Sequence, residues 1–385
     1  MRTVWEGWGV CYPPRRSWTP LAADRARRAW GAVERAVPRG IYVHLPEELR
    51  GLSGRFTGPR HPYIDCLARE ADLLQVSGRL RFATLYIGSF GDGTLTSLSA
   101  PQLERFLGWL RRRFRFRPLR QFTIEVDFAA LTAEQAGALA GAGVDRVSGT
   151  VPPLPPSGAA ARAFCRGVKL CRGRGIRHID LDLMVGRPED DAAGASRRAD
   201  LIARLAPDTA HLQEYVMPGG RPPAERAQML RRAHERLARA NPSLLRYSRR
   251  HAGMNLQLLH ASRRRATILG LGWGAVSHVY SRLTYEKRGT LAGYMRGLLR
   301  GRLPRLAGAA LSARQEQRAF LIGAVEERGV IDRMAFRQAF GREPEEAFPG
   351  VFRRLTDSGL LARRGNQLRL AAGGAELFYE RRLRP

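Results

Sequence analysis

Side chains able to act as metal ligands, nucleophiles or bases are thinly spread through this chain. Its cysteines, Cys11, Cys66, Cys165 and Cys171, are too few and too scattered for a disulfide framework, and none forms a CxxC pair with metal-ligand spacing. Cys165 and Cys171 share an expected helix at a spacing that turns them to different faces, and all four read as small buried apolar residues. Asp182 is more informative, because it stands in the middle of the otherwise apolar run LDLM. A carboxylate buried there without a partner is costly, which favours a place in a polar pocket. Glu125 ends another β-rich run, where it either lines the same pocket or caps a neighbouring helix, and His44 lies near the end of a third.

A regular alternation of elements positions these residues. Short β-rich runs at 41–45, 82–88, 121–126, 144–149, 177–184 and 209–216 alternate with stretches of helical length at 63–77, 100–113, 132–140, 159–174, 195–205 and 223–240. Ser99 and Thr132 stand where they can cap two of the helices. Six strand-then-helix units predict a parallel sheet covered by helices, and both a barrel and an open doubly wound sheet fit the periodicity. In either, the chemistry belongs at the carboxyl ends of the strands, just after His44, Gly88, Glu125, Gly149, Met184 and Tyr215. Beyond about residue 243 the alternation stops. The last stretch reads as three helices and a short hairpin, the order of a winged-helix-like unit. Its segment FPGVFRRLTDSGLL offers mainly Arg353 and Arg354 to a nucleic acid, so DNA binding is not the expected role.

The formal net charge is +30, and only Lys169 and Lys287 are lysine among the basic residues. Such a field favours anionic partners. The basic runs at 111–117, 246–250 and 263–265 and in the C-terminal tail are dispersed, which reads as a solvated surface rather than a nucleic-acid groove. No membrane-length apolar run and no secretory signal is present, so a soluble cytoplasmic protein is expected.

Five segments occur in a telling order: Tyr42-Val-His-Leu-Pro46, FGDGTLTSLSAPQL at 90–103, TIEVDFAALTAEQAGALAGAGVDRVSGTV at 123–151, DLMVGRPED at 182–190 and GLGWGAVS at 270–277. Together they resemble the family of oxygen-independent coproporphyrinogen oxidase, its haem-chaperone relatives and related radical-SAM methyltransferases, SAM being S-adenosylmethionine. The resemblance implies an α/β fold, a partial (β/α)6 barrel of radical-SAM type with a C-terminal helical, winged-helix-like region. It divides the chain into an N-terminal extension (1–39), the barrel (40–242), a connecting segment (243–310) and the winged-helix-like end (311–385).

The family holds a four-iron cluster on CxxxCxYCDF after its first strand, and this sequence departs from that motif. The ligand positions fall on Glu48, His61 and Ile64, and Cys66 lies beyond them. An iron–sulfur cluster needs thiolates, so none is expected. Glu48, His61 and Asp65 could be imagined as a metal site, but a surface cap and loop is the favoured reading and no metal is expected.

The resemblance implies SAM as cofactor. Tyr42 would pack against it, while Gly91, Gly93 and Thr94 form the turn at its methionine end. Glu125 would pair with the ammonium group, Asp182 would accept from the ribose hydroxyls, and Glu214 and Val276 would line the adenine side. Departures fall on the substrate side, where Pro152 replaces the family's glutamine and Arg187 its leucine. Arg187 would suit an anionic substrate. The haem-chaperone signature HNxxYW is degraded to residues 254–259, leaving Met254 and His260 as conceivable haem ligands. One function that follows is polar methyl or alkyl transfer or cyclisation with Glu125, Asp182 or His44 as base, acting on an anionic small molecule or an acidic carrier protein. The alternative is a non-catalytic scaffold binding SAM, haem or a partner enzyme.

Overall fold

Strand periodicity sorts polar from apolar side chains here, and that sorting shapes the barrel. The computed structural model describes residues 13, 15–34, 37, 39–49, 62–76, 80–88, 94–153, 158–215, 219–240, 251–252 and 266–371. A short strand β1 (Thr19–Leu21) and helix α1 (Ala23–Gly31) precede the six repeated units. The strands of those units are β2 (Arg39–His44), β3 (Arg81–Gly88), β4 (Arg115–Glu125), β5 (Arg146–Thr150), β6 (His178–Val185) and β7 (Thr209–Glu214). Each pairs in parallel with the next in chain order. The helices that follow them are α2 (Pro62–Leu73), α3 (Ala100–Arg113), α4 (Ala133–Gly141), α5 (Ala159–Gly173), α6 (Ala192–Leu205) and α7 (Pro223–Ala240).

Successive side chains of a strand point to opposite faces. Ile41, Val43, Leu85, Ile87, Ile124, Val147, Leu181, Leu183 and Leu212 are buried in the main core. The alternate positions carry Tyr42, His44, Tyr86, Thr123, Glu125, Ser148, Asp180, Asp182 and His211, which the register sets side by side. The run LDLM is therefore apolar on one face only, and Asp182 belongs to the polar one. Capping follows the sequence at α3 and α4. The Ser99 N–H donates to Gln102 Oε1 at 2.9 Å, and the Gln135 N–H donates to Thr132 Oγ1 at 3.2 Å.

The sheet continues past β7. A short β8 (His251–Ala252) pairs with β7, while β9 (Thr267–Leu271) lies parallel to β2 on the other side. Beyond β9 come β10 (Val276–Val279), β11 (Leu283–Lys287) and β12 (Leu306–Ala310), all antiparallel, and β1 closes that edge. The order is β1-β12-β11-β10-β9-β2-β3-β4-β5-β6-β7-β8, a linear arrangement that leaves the barrel partial. Residues 19–31 of the N-terminal extension are thus built into the sheet layer, and the Trp30 indole N–H donates to the Tyr285 hydroxyl at 2.8 Å.

After α8 (Leu291–Leu299) the chain forms α9 (Ala313–Arg328), β13 (Val330–Asp332), α10 (Arg333–Phe340), α11 (Pro344–Ala347), α12 (Pro349–Asp357) and the hairpin β14 (Leu361–Arg364) and β15 (Gln367–Leu370). The small sheet has the order β13-β15-β14, and Phe320, Phe336, Phe348 and Phe352 fill a separate core. This is the winged-helix-like end that the helix and hairpin order predicts.

Helix α5 approaches the chain after β4 so closely that a methyl group on Gly167 would overlap the Phe128 carbonyl. Gly167→Ala is expected to cost about 1–3 kcal/mol through overpacking, read as a lower urea midpoint with an unchanged slope.

Candidate functional site

The polar face of β2 to β7 gathers its functional groups at the carboxyl ends of the strands. On β2 and β3, the Tyr42 and Tyr86 rings lie 5.9 Å apart, and the Tyr42 hydroxyl shares a hydrogen bond of 2.9 Å with His44 Nδ1. Tyr86 donates its hydroxyl to Glu125 Oε1 at 2.6 Å. Gly88 makes room for this, since a Cβ there would lie 2.8 Å from the Glu125 carboxylate. Burial, with the Glu125 charge added, pushes both tyrosine hydroxyls well above the usual phenol range, so they stay protonated as donors. Burial and the Lys287 and Arg15 charges lower the His44 pKa to about 4, which leaves a neutral and weakly basic imidazole.

A network of charges occupies β5 to β7. The Arg146 guanidinium lies 2.5 Å from Asp180 Oδ2, with both side chains almost fully buried, and the Thr209 hydroxyl donates to Asp180 Oδ1 at 2.6 Å. Asp182 Oδ1 lies 2.8 Å from His211 Nδ1, and Ser148 Oγ sits between the two carboxylates, 3.1 Å from Asp180 and 3.4 Å from Asp182. Burial alone would raise the Asp180 pKa, but Arg146 and His211 outweigh it and bring the value to about 2. Burial dominates at Asp182 and raises its pKa against the pull of His211. At His211 burial disfavours the imidazolium, yet the two aspartates together raise its pKa. With Asp180 claimed by Arg146, Asp182 and His211 are the pair left to share a proton.

Donor atoms of Asp180, Asp182 and His211 lie within 4.8 Å of one another, close enough to hold a cation. The buried Arg146 guanidinium already pairs with Asp180, so a cation there would compete with it for that carboxylate. The set reads as a salt-bridged network. The Thr84 and Thr123 hydroxyls, also buried on β3 and β4, have no hydrogen-bond partner. The half-buried Glu125 and Asp182 carboxylates, with the Tyr42 ring on the same face, are the set that fits a polar ligand such as SAM.

Tyr42, His44, Glu125 and Asp182 therefore share one face of the barrel. Gly91 and Gly93 lie outside the described residues, as do His61, Met254 and His260. Thr94 opens a short 3-10 turn, Thr94–Ser97. Glu214 lies in register with apolar Val185 and makes a 3.4 Å ion pair with Arg226 of α7, which turns it away from the polar face. Val276 packs with Trp18 and Ala307 at the β1 edge. Arg187 sits in the turn after β6, where its backbone N–H donates to Asp190 Oδ2 at 3.0 Å. Glu48 is exposed, Ile64 is half-buried on α2, and Cys66 directs its thiol toward the Met295 carbonyl of α8. Cys171 is buried in α5, as a small apolar residue should be, while Cys165 is half-buried.

Sequence reasoning did not single out Tyr86, Arg146, Ser148 or His211. Their signal is positional, because each is a polar residue at the same parity as Glu125 or Asp182 on a neighbouring strand.

No family model matches the chain. It is similar to the oxygen-independent coproporphyrinogen III oxidase of Paracoccus denitrificans, 25% identical over 226 residues that span 53% of this chain and 49% of that protein. Similarity to the enzyme of the same name from Cereibacter sphaeroides is 21% over 379 residues, 86% of this chain and 82% of that one. The heme chaperone HemW of Escherichia coli is 26% identical over 212 residues, 48% of this chain and 54% of that protein. The chain thus spans only about half the length of the Paracoccus and HemW relatives. Among solved structures, coproporphyrinogen III oxidase (HemN) of Escherichia coli, a radical SAM enzyme, superposes with a TM-score of 0.76 at 18% identity, covering 96% of this chain and 94% of that one. The partial barrel and its winged-helix-like end define a protein of radical-SAM fold. Within that class, the named relatives support membership of the HemN/HemW-like family. Among the described residues, no helix is long and apolar enough to cross a membrane.

Proposed function

We propose that this protein binds SAM at the mouth of the barrel without an iron–sulfur cluster and uses it as a polar electrophile, for methyl or alkyl transfer or cyclisation on an anionic or carrier-bound substrate. The observation that carries the reading is the pair of half-buried carboxylates, Glu125 held by Tyr86 and Asp182 held by His211, on one polar face. Glu125 can take an ammonium group and Asp182 a ribose diol, while Tyr42 offers an aromatic wall. Bound SAM would supply a carbon activated by its sulfonium, for which no electron is needed. The chain's own part is to orient that carbon, exclude water and hold a proton between Asp182 and His211. Arg187 is the residue we assign to the anionic substrate.

The cluster positions support the same reading. A four-iron cluster needs thiolates, whereas Glu48 is an exposed carboxylate and Ile64 a hydrocarbon. Burial, with Asp65 nearby, pushes the Cys66 thiol up to about 11, and that thiol is turned toward α8. These residues do not fit the group. A non-catalytic SAM-binding scaffold is the second reading, favoured by the weak basicity of His44 and by the partners already held by Glu125 and Asp182.

Calorimetric titration with SAM is expected to give saturable binding, and iron and sulfide analysis after anaerobic reconstitution is expected to stay far below four iron atoms per chain. No saturable heat would overturn SAM binding, and a stoichiometric cluster would overturn the loss of the radical step. Release of a methylthioadenosine or homocysteine-type by-product separates transfer from the scaffold, which would return SAM unchanged.

A further inference from the structure

We infer that the groove where β1 meets β12 is a second binding site, for an amphipathic molecule with a carboxylate or phosphate head. The inference goes beyond SAM binding and does not depend on it. The groove measures about 700 Å3 and has two unlike parts. Trp18, Leu306 and Ala307, all buried, form an apolar floor. Arg15, Arg288 and Arg305 line the rest. Arg15 and Arg288 share Glu286, which lies 3.1 Å from one and 2.6 Å from the other. Among the described residues, three guanidiniums against one carboxylate leave two positive charges uncompensated.

Two further observations point to a ligand rather than a solvated patch. Among the described residues the buried Arg15 Nε–H finds no acceptor, a costly arrangement unless something else supplies one. Its guanidinium also leans over the Trp18 ring, 5.9 Å from the centroid, so the charged and apolar parts of the groove are contiguous. A guanidinium fork matches a carboxylate or phosphate bidentately, and an aromatic floor beside it takes an apolar body. The same charges would repel a cationic sulfonium, so this is not a place for SAM.

The test is equilibrium dialysis of the full chain, without SAM, against dodecyl phosphate and dodecanoate below their aggregation limits at physiological ionic strength. Saturable binding of at least one probe is expected, and the tighter probe names the head group. Arg305 is exposed, so Arg305→Glu leaves the fold intact and should weaken binding by about tenfold or more. Arg364→Glu on the exposed wing makes the same charge change elsewhere and should alter binding less than about twofold, because surface charges at a distance are screened. Equal effects of the two reversals, or no saturable binding of either probe, would overturn the proposal. Failure of SAM to bind in the calorimeter would leave this result untouched.

Discussion

Replacement of Arg146 by methionine is expected to cost about 3–5 kcal/mol of folding stability, the range for removing one partner of a buried ion pair. Asp180 is wholly buried and has its Oδ2 2.5 Å from the guanidinium, so the variant would strand a carboxylate among Ser148, Thr209 and His211. The pH dependence identifies the cause. In the parent, Asp180 titrates at about 2, below its unfolded value of 3.8, so its contribution is present above 3.8 and lost only as pH falls through about 2. Without Arg146, burial dominates and the folded value rises. The variant is then penalised at neutral pH and relieved on acidification. The gap between parent and variant should therefore narrow as pH falls from neutral, and adding Asp180→Asn should recover most of the loss. Urea midpoints across a pH series measure both effects. A single variant within about 1 kcal/mol of the parent would show that the pair does not hold the barrel floor.

The barrel strands were legible because each is followed by a helix, which marks the period. The run read at 82–88 is β3, Arg81–Gly88, and the helix read at 100–113 is α3, Ala100–Arg113. The antiparallel half of the sheet was not legible. Strands β9 to β11 are four or five residues long and are joined by turns at Gly272–Gly274 and around Ser281, with no helix between them to mark a period. β1 has three residues, and its partner β12 lies at the far end of the chain's sheet-forming part. At the site, Asp182 gave itself away as a charge inside an apolar run. His211 and Ser148 did not, because a histidine in TAHLQ or a serine in DRVSG is unremarkable until the register sets it against a carboxylate. Glu214 shows the opposite limit. The resemblance implied a place on the adenine side, but Glu214 ends β7 one residue of parity away from the polar face and pairs with Arg226 of α7.

Asp182→Ala is expected to lower SAM affinity by about ten- to a hundredfold, the worth of hydrogen bonds to a charged acceptor in a partly buried site. His211→Asn should lower it less, because an amide can still donate to Asp182 but brings no charge. The two variants differ in what pH does. His211 is raised in the folded chain, since Asp180 and Asp182 outweigh the burial that disfavours its cation. A raised histidine adds stability that is fully present below its unfolded value of about 6.5 and is lost as pH rises through the folded value. Parent and His211→Asn should thus differ most in melting temperature at mildly acid pH and converge in alkali, whereas Asp182→Ala should lose SAM affinity across the range. Convergence at acid pH instead would mean that the imidazole folds in neutral, and Asp182 would then carry the proton that the pair shares.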